Sequence, residues 1–133
     1  MKVVDLMQTE LKTISTDATV GEAVEALASA QVSALPVLDR FGRAVGVIST
    51  REVLRAEGAC KTATQRDWLF DKTLVIELMA PWPTTIDPDV DARQAAQEML
   101  YLNVARLFVE FDGALVGVLS QTDIVAAVAT AKV

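Results

Sequence analysis

A displacement of 72 residues lays one half of the chain on the other. Val4-Asp5-Leu6-Met7 falls on Ile76-Glu77-Leu78-Met79, and TISTD (Thr13 to Asp17) falls on TIDPD (Thr85 to Asp89). Glu22 to Val37 falls on Gln94 to Val109. One residue is then lost in a turn, and at a displacement of 71 GRAVGVIS (Gly42 to Ser49) falls on GALVGVLS (Gly113 to Ser120). Matches kept in order over such a length, with one gap placed in a turn, mark an internal duplication. A duplication restricts the fold strongly, because whatever unit one copy builds, the other must build as well.

The unit is legible in local signals. Thr13-Ile14-Ser15 and Thr85-Ile86 are short β-prone pieces. Val20, Ala23, Val24, Leu27 and Ala28 recur at helical spacing, predicting an amphipathic helix over 20–30. Thr19 with Glu22 reads as a capping box at its start, and Asp91 with Gln94 as the counterpart. Two apolar runs split by a turn follow: Leu35 to Leu38 and Ala44 to Ile48 around DRFGR, then Leu107 to Phe111 and Ala114 to Leu119 around Asp112-Gly113, a strong hairpin signal. A last helix starts near Ser49 and near Ser120. The expectation is an α+β chain of two β-α-β-β-α units, with residues 1–57 as the first, 58–74 as a connector with a short helix, and 75–133 as the second. Within the connector Trp68, Leu69 and Phe70 are too apolar for a free linker. They fit a helix docked on the body or a contact for a partner. Trp82, between Pro81 and Pro83, reads as a core or interface residue or as a ligand platform.

Composition narrows the chemistry. The 133 residues contain no His, which removes the commonest general base and the commonest metal ligand. With Cys60 as the single cysteine, thiolate and imidazole metal sites, Ser-His-Asp and Cys-His centres and an intrachain disulfide are all unavailable, and a reducing cytoplasm fits. The net charge of −6 argues against a nucleic-acid backbone as partner. It leaves room for a small phosphorylated ligand, which needs only one or two cations and a helix N-terminus. No apolar run reaches the roughly 20 residues of a membrane helix, and MKVVDLMQTE lacks the apolar stretch of a secretory signal.

VSALPVLDRFGRAVGVISTREV and VARLFVEFDGALVGVLSQTDI resemble the hairpin and following helix of cystathionine-β-synthase (CBS) domains. The pieces that carry the likeness are the L-P-V-L-D-x-x-G strand and turn, the G-V-[IL]-S strand and the S-x-x-[DE] helix start, in order and twice. The resemblance covers nearly the whole chain and implies a stand-alone tandem CBS pair whose two units pack with pseudo-twofold symmetry. It implies two clefts that take an adenosine-containing ligand, here AMP, ADP, ATP or S-adenosylmethionine, with no required cofactor, no metal and no catalytic residue. It also implies a homodimer and a regulatory output on a separate effector protein.

The Ser-x-x-acid at the start of each last helix has two readings. As pure structure it is an N-cap with its capping partner. As a site it offers helix N–H groups to a phosphate and a carboxylate that can accept both hydroxyls of a ribose. On the family pattern Ser120, Asp123 and the wall residue Val118 act with Thr16, Val32 and Ser33, and Arg106 reaches the phosphate or is a solvated strand-end arginine. The second cleft would use Ser49 and Glu52 with Val104 and Ala105. There Glu replaces Asp, Pro88 stands where Thr16 does, and Ala34 stands where Arg106 does. The expectation is one competent cleft and one weak or empty one. A CBS dimer that has lost ligand binding and serves as an adaptor is the alternative. A dehydrogenase of the type that carries CBS pairs is excluded on length, since no catalytic barrel fits beside two repeats.

Overall fold

A computed structural model of the chain describes residues 1–130. In chain order the elements are α1 (Val3–Leu6), β1 (Ile14–Ser15), α2 (Val20–Ala30), β2 (Ala34–Leu38), β3 (Ala44–Ser49), α3 (Thr50–Gly58), α4 (Ala63–Asp71), α5 (Val75–Leu78), β4 (Ala80–Pro81), β5 (Thr85–Ile86), α6 (Ala92–Leu102), β6 (Arg106–Phe111), β7 (Ala114–Ser120) and α7 (Gln121–Ala129). The β-α-β-β-α order expected from the repeat occurs twice, as β1-α2-β2-β3-α3 and β5-α6-β6-β7-α7.

The chain forms two compact units, and their membership is not sequential. One holds residues 12–83; the other joins 1–11 to 84–133. The leading segment that precedes each copy in sequence therefore packs with the other copy. The repeat boundaries at 57/58 and 74/75 describe homology along the chain, while the packing changes hands at 11/12 and 83/84.

In the 12–83 unit, β1 runs parallel to β2, β2 antiparallel to β3, and β3 antiparallel to β4. In the other, β5 runs parallel to β6 and β6 antiparallel to β7. Gln8 adds an antiparallel bridge on the far side of β7, where β4 sits in the first sheet. Buried Leu35, Val37 and Ile48 from the sheet meet Val20, Ala23 and Leu27 of α2, with Val53, Leu69 and Val75, in one core. Leu107, Val109 and Leu119 meet Ala95, Met99, Ile86, Ile124 and Val3 in the other. Of the helical stripe read from the sequence, Val24 and Ala28 turn outward, because the sheet covers only the arc carrying Val20, Ala23 and Leu27.

Local chemistry explains the ends of the elements. At Thr19 the capping box is complete: its hydroxyl accepts from Glu22 N at 3.1 Å, and Glu22 Oε1 accepts from Thr19 N at 3.0 Å. Its counterpart differs from expectation. Asp91 Oδ1 accepts from Arg93 N at 2.8 Å, not from Gln94. Gln31 and Asn103 close α2 and α6 in the left-handed region, both at φ 55°. Asp112 and Gly113 both take positive φ, as a tight two-residue hairpin turn requires. The connector helix α4 docks through buried Leu69 and half-buried Phe70, while Trp68 is 65% exposed. Phe108 is buried, on the sheet face opposite Leu107 and Val109.

The leading segments attach by the same bonds in both units. Val3 N donates to Val90 O at 2.8 Å and Val75 N to Ala18 O at 2.8 Å. Val4 N donates to Pro88 O at 2.9 Å, and Ile76 N to Thr16 O at 3.2 Å. Val3 and Val75 are fully buried, each contributing roughly 1.5–3 kcal/mol of apolar burial. The approach is close enough to require glycine on the receiving strand. A Cβ on Gly117 would lie 2.7 Å from Met7 Sδ and 2.9 Å from Gln8 O, and one on Gly46 would lie 2.6 Å from Ala80 O. Gly117→Ala is thus expected to lower the urea-unfolding free energy by about 1–3 kcal/mol, since backbone must move to admit the methyl. Gly58→Ala, where the added Cβ meets nothing within 4 Å, is the control and should be neutral or slightly stabilising; equal losses at both positions would refute the steric account.

Candidate functional site

The two Ser-x-x-acid motifs have the same backbone setting and different side-chain chemistry. Each Ser ends the second strand of a hairpin and caps the helix that follows, Ser49 before α3 and Ser120 before α7. The Ser has extended backbone, as its strand requires, and the helix that follows is anchored by a buried apolar residue in its first turn, Val53 in one copy and Ile124 in the other.

At the second copy the bonds are reciprocal. Ser120 Oγ accepts from Asp123 N at 3.1 Å, and Asp123 Oδ2 accepts from Ser120 N at 2.9 Å. The other oxygen, Oδ1, accepts from Gln8 Nε2 at 3.2 Å. The acid is half-buried, and its two oxygens are held by different donors. At the first copy the longer side chain folds back. Glu52 Oε1 accepts from both Ser49 N at 2.9 Å and Ser49 Oγ at 2.7 Å, so the Ser hydroxyl donates where Ser120 accepts.

Arg106 stands directly across from Ser120 in the β6–β7 ladder, which puts both side chains on one sheet face. The corresponding pair in the other unit is Ala34 with Ser49, with no cation. Val118 is half-buried and pairs through its backbone with Gln8, accepting from Gln8 N at 2.8 Å and donating to Gln8 O at 3.0 Å. Arg106, Val118, Ser120 and Asp123 thus belong to one unit and gather around the β7–α7 junction. Val104 and Ala105 lie beside it. The Val104 carbonyl accepts from the Gln121 side chain at 3.2 Å, and the Ala105 carbonyl from Gln121 N at 2.9 Å.

Thr16, Val32 and Ser33 belong to the 12–83 unit. Thr16 is buried, and its backbone is engaged on both sides: N donates to Leu38 O at 3.1 Å and O accepts from Ile76 N. The Ser33 carbonyl accepts from Thr50 N at 3.0 Å, as Ala105 does from Gln121. A carbonyl keeps a second lone pair after one such bond. Val32 is exposed, following the left-handed Gln31 that ends α2. Pro88 accepts from Val4 N just as Thr16 accepts from Ile76 N, so substituting Pro at this position preserves the carbonyl contact and removes only the donor and the hydroxyl.

Gln8 is the residue that sequence reasoning missed. It lies 115 positions from Asp123, in a leading segment that the repeat assigned to the other copy. Its repeat counterpart is Ala80, which pairs with Val47 as Gln8 pairs with Val118 and has no side-chain donor to offer Glu52. Among the described residues no group of three or more Cys, Asp or Glu is placed to hold a metal, and no helix is long and apolar enough to cross a membrane.

Comparison with known proteins agrees with the repeat. The CBS domain model matches residues 3–59 and again 75–130. The CBS domain-containing protein CBSX1 of Arabidopsis thaliana chloroplasts is 28% identical over 139 residues, an alignment covering 89% of this chain and 59% of that protein. An inosine-5'-monophosphate dehydrogenase of Methanocaldococcus jannaschii is 31% identical over 114 residues, covering 84% of this chain and 20% of the enzyme. Among solved structures, CBSX2 in complex with AMP superimposes with a TM-score of 0.80 at 28% identity, covering 99% of both chains. CBSX2 from Arabidopsis thaliana superimposes with a TM-score of 0.79 at 29% identity, covering 98% of this chain and 96% of that one. With both repeats matched, the chain belongs to the CBS domain family, as a tandem pair.

Proposed function

We propose that this chain is a regulatory ligand-sensing module that binds an adenine nucleotide or another adenosine-containing ligand at the Asp123 end of the second copy. The observation that carries the reading is the Asp123 carboxylate. It is held beside Ser120 at the start of the nine-residue helix α7, with Arg106 across the strand pair. A carboxylate fixed in this way accepts two neighbouring hydroxyls, which is what a ribose presents, and the helix N-terminus with a nearby guanidinium favours phosphate. The similarity to CBSX2, whose structure contains AMP, supports the ligand class. Val118, with Thr16, Val32 and Ser33, completes the residue set that the family pattern assigns to base and sugar. The Ser49–Glu52 end, with Val104 and Ala105 assigned to it, is the weaker or empty one. Its acid is a Glu whose Oε1 takes both bonds from Ser49, and it has neither a cation at Ala34 nor a side-chain amide at Ala80. The chain acts in the cytoplasm on a separate effector protein, performs no catalysis itself and needs no cofactor.

Isothermal titration calorimetry with AMP, ADP, ATP and S-adenosylmethionine tests the reading. One of the four should bind, and Asp123→Ala should weaken that binding at least about tenfold, the loss of a charge-assisted bidentate contact. Asp123→Asn retains an acceptor for the cap and should lose affinity with little loss of stability. Glu52→Ala should leave affinity unchanged. If no adenosine compound binds the wild type, or if both Asp123 variants bind like it, the assignment is wrong and the adaptor reading takes its place.

The module works as a homodimer in this proposal, and the outer face of the α6–α7 pair supports that. Leu100 and Tyr101 are 75% and 89% exposed, and Val125 and Val128 of α7 are 64% and 60% exposed. A helix that is apolar on its outer as well as its inner side calls for a covering surface. The matching helix α3 carries Arg51 and Arg55 outside, with Leu54 as its exposed apolar residue. A second copy is the occupant that suits a chain of net charge −6, because this patch contains no charge and two copies can meet there without like-charge repulsion. Light scattering should give a dimer for the wild type and a monomer for the double variant Leu100→Glu, Val125→Glu. A wild-type monomer at about 100 μM, a concentration well above a micromolar dissociation constant, would exclude the dimer.

A further inference from the structure

Asp123 has a second holder, and it comes from the far end of the chain. Its carboxylate is acceptor-only, so the Gln8 amide must present its NH2 to Oδ1, where it lies at 3.2 Å. The Gln8 backbone is fixed independently by the reciprocal pair with Val118 at 2.8 and 3.0 Å. The approach that makes this pair possible depends on Gly117, where a Cβ would lie 2.9 Å from Gln8 O. Three separate contacts therefore place this amide: two backbone bonds to β7 and one side-chain bond to the acid.

The other unit supplies an internal comparison. The strand pairing is the same, with Ala80 opposite Val47 and a Cβ on Gly46 only 2.6 Å from Ala80 O. The docking is retained there, and the amide is absent. The amide thus has no part in attaching the leading segment, since Ala80 attaches without it. It occurs only in the unit whose acid is an Asp with Arg106 across the ladder, and not in the unit whose Glu52 folds onto Ser49.

We propose that Gln8 is a positioning residue that sets the plane of the Asp123 carboxylate for a vicinal diol. The inference rests on the ligand reading above. A carboxylate accepts two neighbouring hydroxyls only when both oxygens face them together. With Oδ2 held by Ser120 N and Oδ1 held by Gln8 Nε2, rotation about the Cβ–Cγ bond is restrained from both sides. Each oxygen keeps lone-pair capacity for one hydroxyl after its protein bond. Removing the amide leaves one oxygen tethered and the plane free to turn, so the diol must order it on binding. The same contact makes ribose recognition depend on a leading segment docked on β7.

The test is the ratio of affinities for AMP and 2′-deoxy-AMP by calorimetry (or for whichever adenosine ligand binds and its 2′-deoxy form), in wild type, Gln8→Ala, Gln8→Glu and Asp123→Asn. The wild type should prefer the ribonucleotide. Gln8→Ala should lose about fivefold in affinity for it, about the net worth of one ordinary hydrogen bond, with little change for the 2′-deoxy compound, so that the ratio falls toward one. Gln8→Glu places a second carboxylate against Asp123 and should lose more. Ala is tolerated at this strand position, as Ala80 demonstrates, so unfolding should not confuse the result; an unchanged urea midpoint checks this. If Asp123→Asn abolishes discrimination and Gln8→Ala retains both affinity and ratio, the role of Gln8 is refuted and the ligand site stands. If the wild type does not distinguish the two nucleotides, or Asp123→Asn does not alter the ratio, the diol reading of Asp123 falls and the Gln8 proposal falls with it.

Discussion

Everything at the β7–α7 junction depends on a backbone contact that only glycine permits. Gly117 admits Met7 and Gln8 against β7, and Gly46 admits Met79 and Ala80 against β3, at distances where a methyl group would collide with a carbonyl oxygen. The G-V-[IL]-S strand is for that reason not only a hydrophobic segment that leads into a cap. Its Gly receives the leading segment, its next residue pairs with that segment, and its Ser starts the helix. Docking brings Val3 or Val75 into a core and satisfies donors on the one-turn helices α1 and α5. Such short helices have little stability alone, so tertiary burial is what holds them.

The duplication supplies a controlled comparison inside one molecule. Caps, left-handed helix ends, ladder registers and segment docking recur, with distances that differ by a few tenths of an ångström. Shared features of that kind belong to the fold. The differences cluster at one place: Asp123 against Glu52, Arg106 against Ala34, and Gln8 against Ala80. Together they give the second copy a carboxylate held by two donors and a cation across the ladder, and the first copy neither. Three coincident departures at one junction weigh more than any one of them, since each alone has an ordinary structural explanation.

Much was readable directly. The displacement of 72 residues, the helical stripe of Val20, Ala23 and Leu27, the Asp112-Gly113 turn and the Ser-x-x-acid caps are all local patterns, with partners within a few residues. Period and capping are local properties of a chain, so they survive translation into structure. Two local details differ from the pattern although the elements themselves form as read. Val24 and Ala28 face outward because the buried arc of α2 is narrower than its apolar arc, and Asp91 accepts from Arg93 N where the capping-box pattern pointed to Gln94. Gln8 could not be read at all. Nothing in MKVVDLMQTE marks its amide as a partner for an acid 115 residues away.

The sequence by itself determined the unit, its repetition and the chemistry available at each cap: no imidazole, one thiol, and an Asp in one copy where the other has Glu. Only the tertiary structure decided which copy receives which leading segment. Sequence homology makes residues 4–7 and 76–79 equivalent, and the two receiving strands present the same glycine and the same acceptors. The shared backbone contacts therefore do not choose between docking at home and docking away. The tertiary structure resolves it with residues 1–11 joined to the second copy. That closure carries Gln8 to Asp123, a contact that exists only because the segment crossed over.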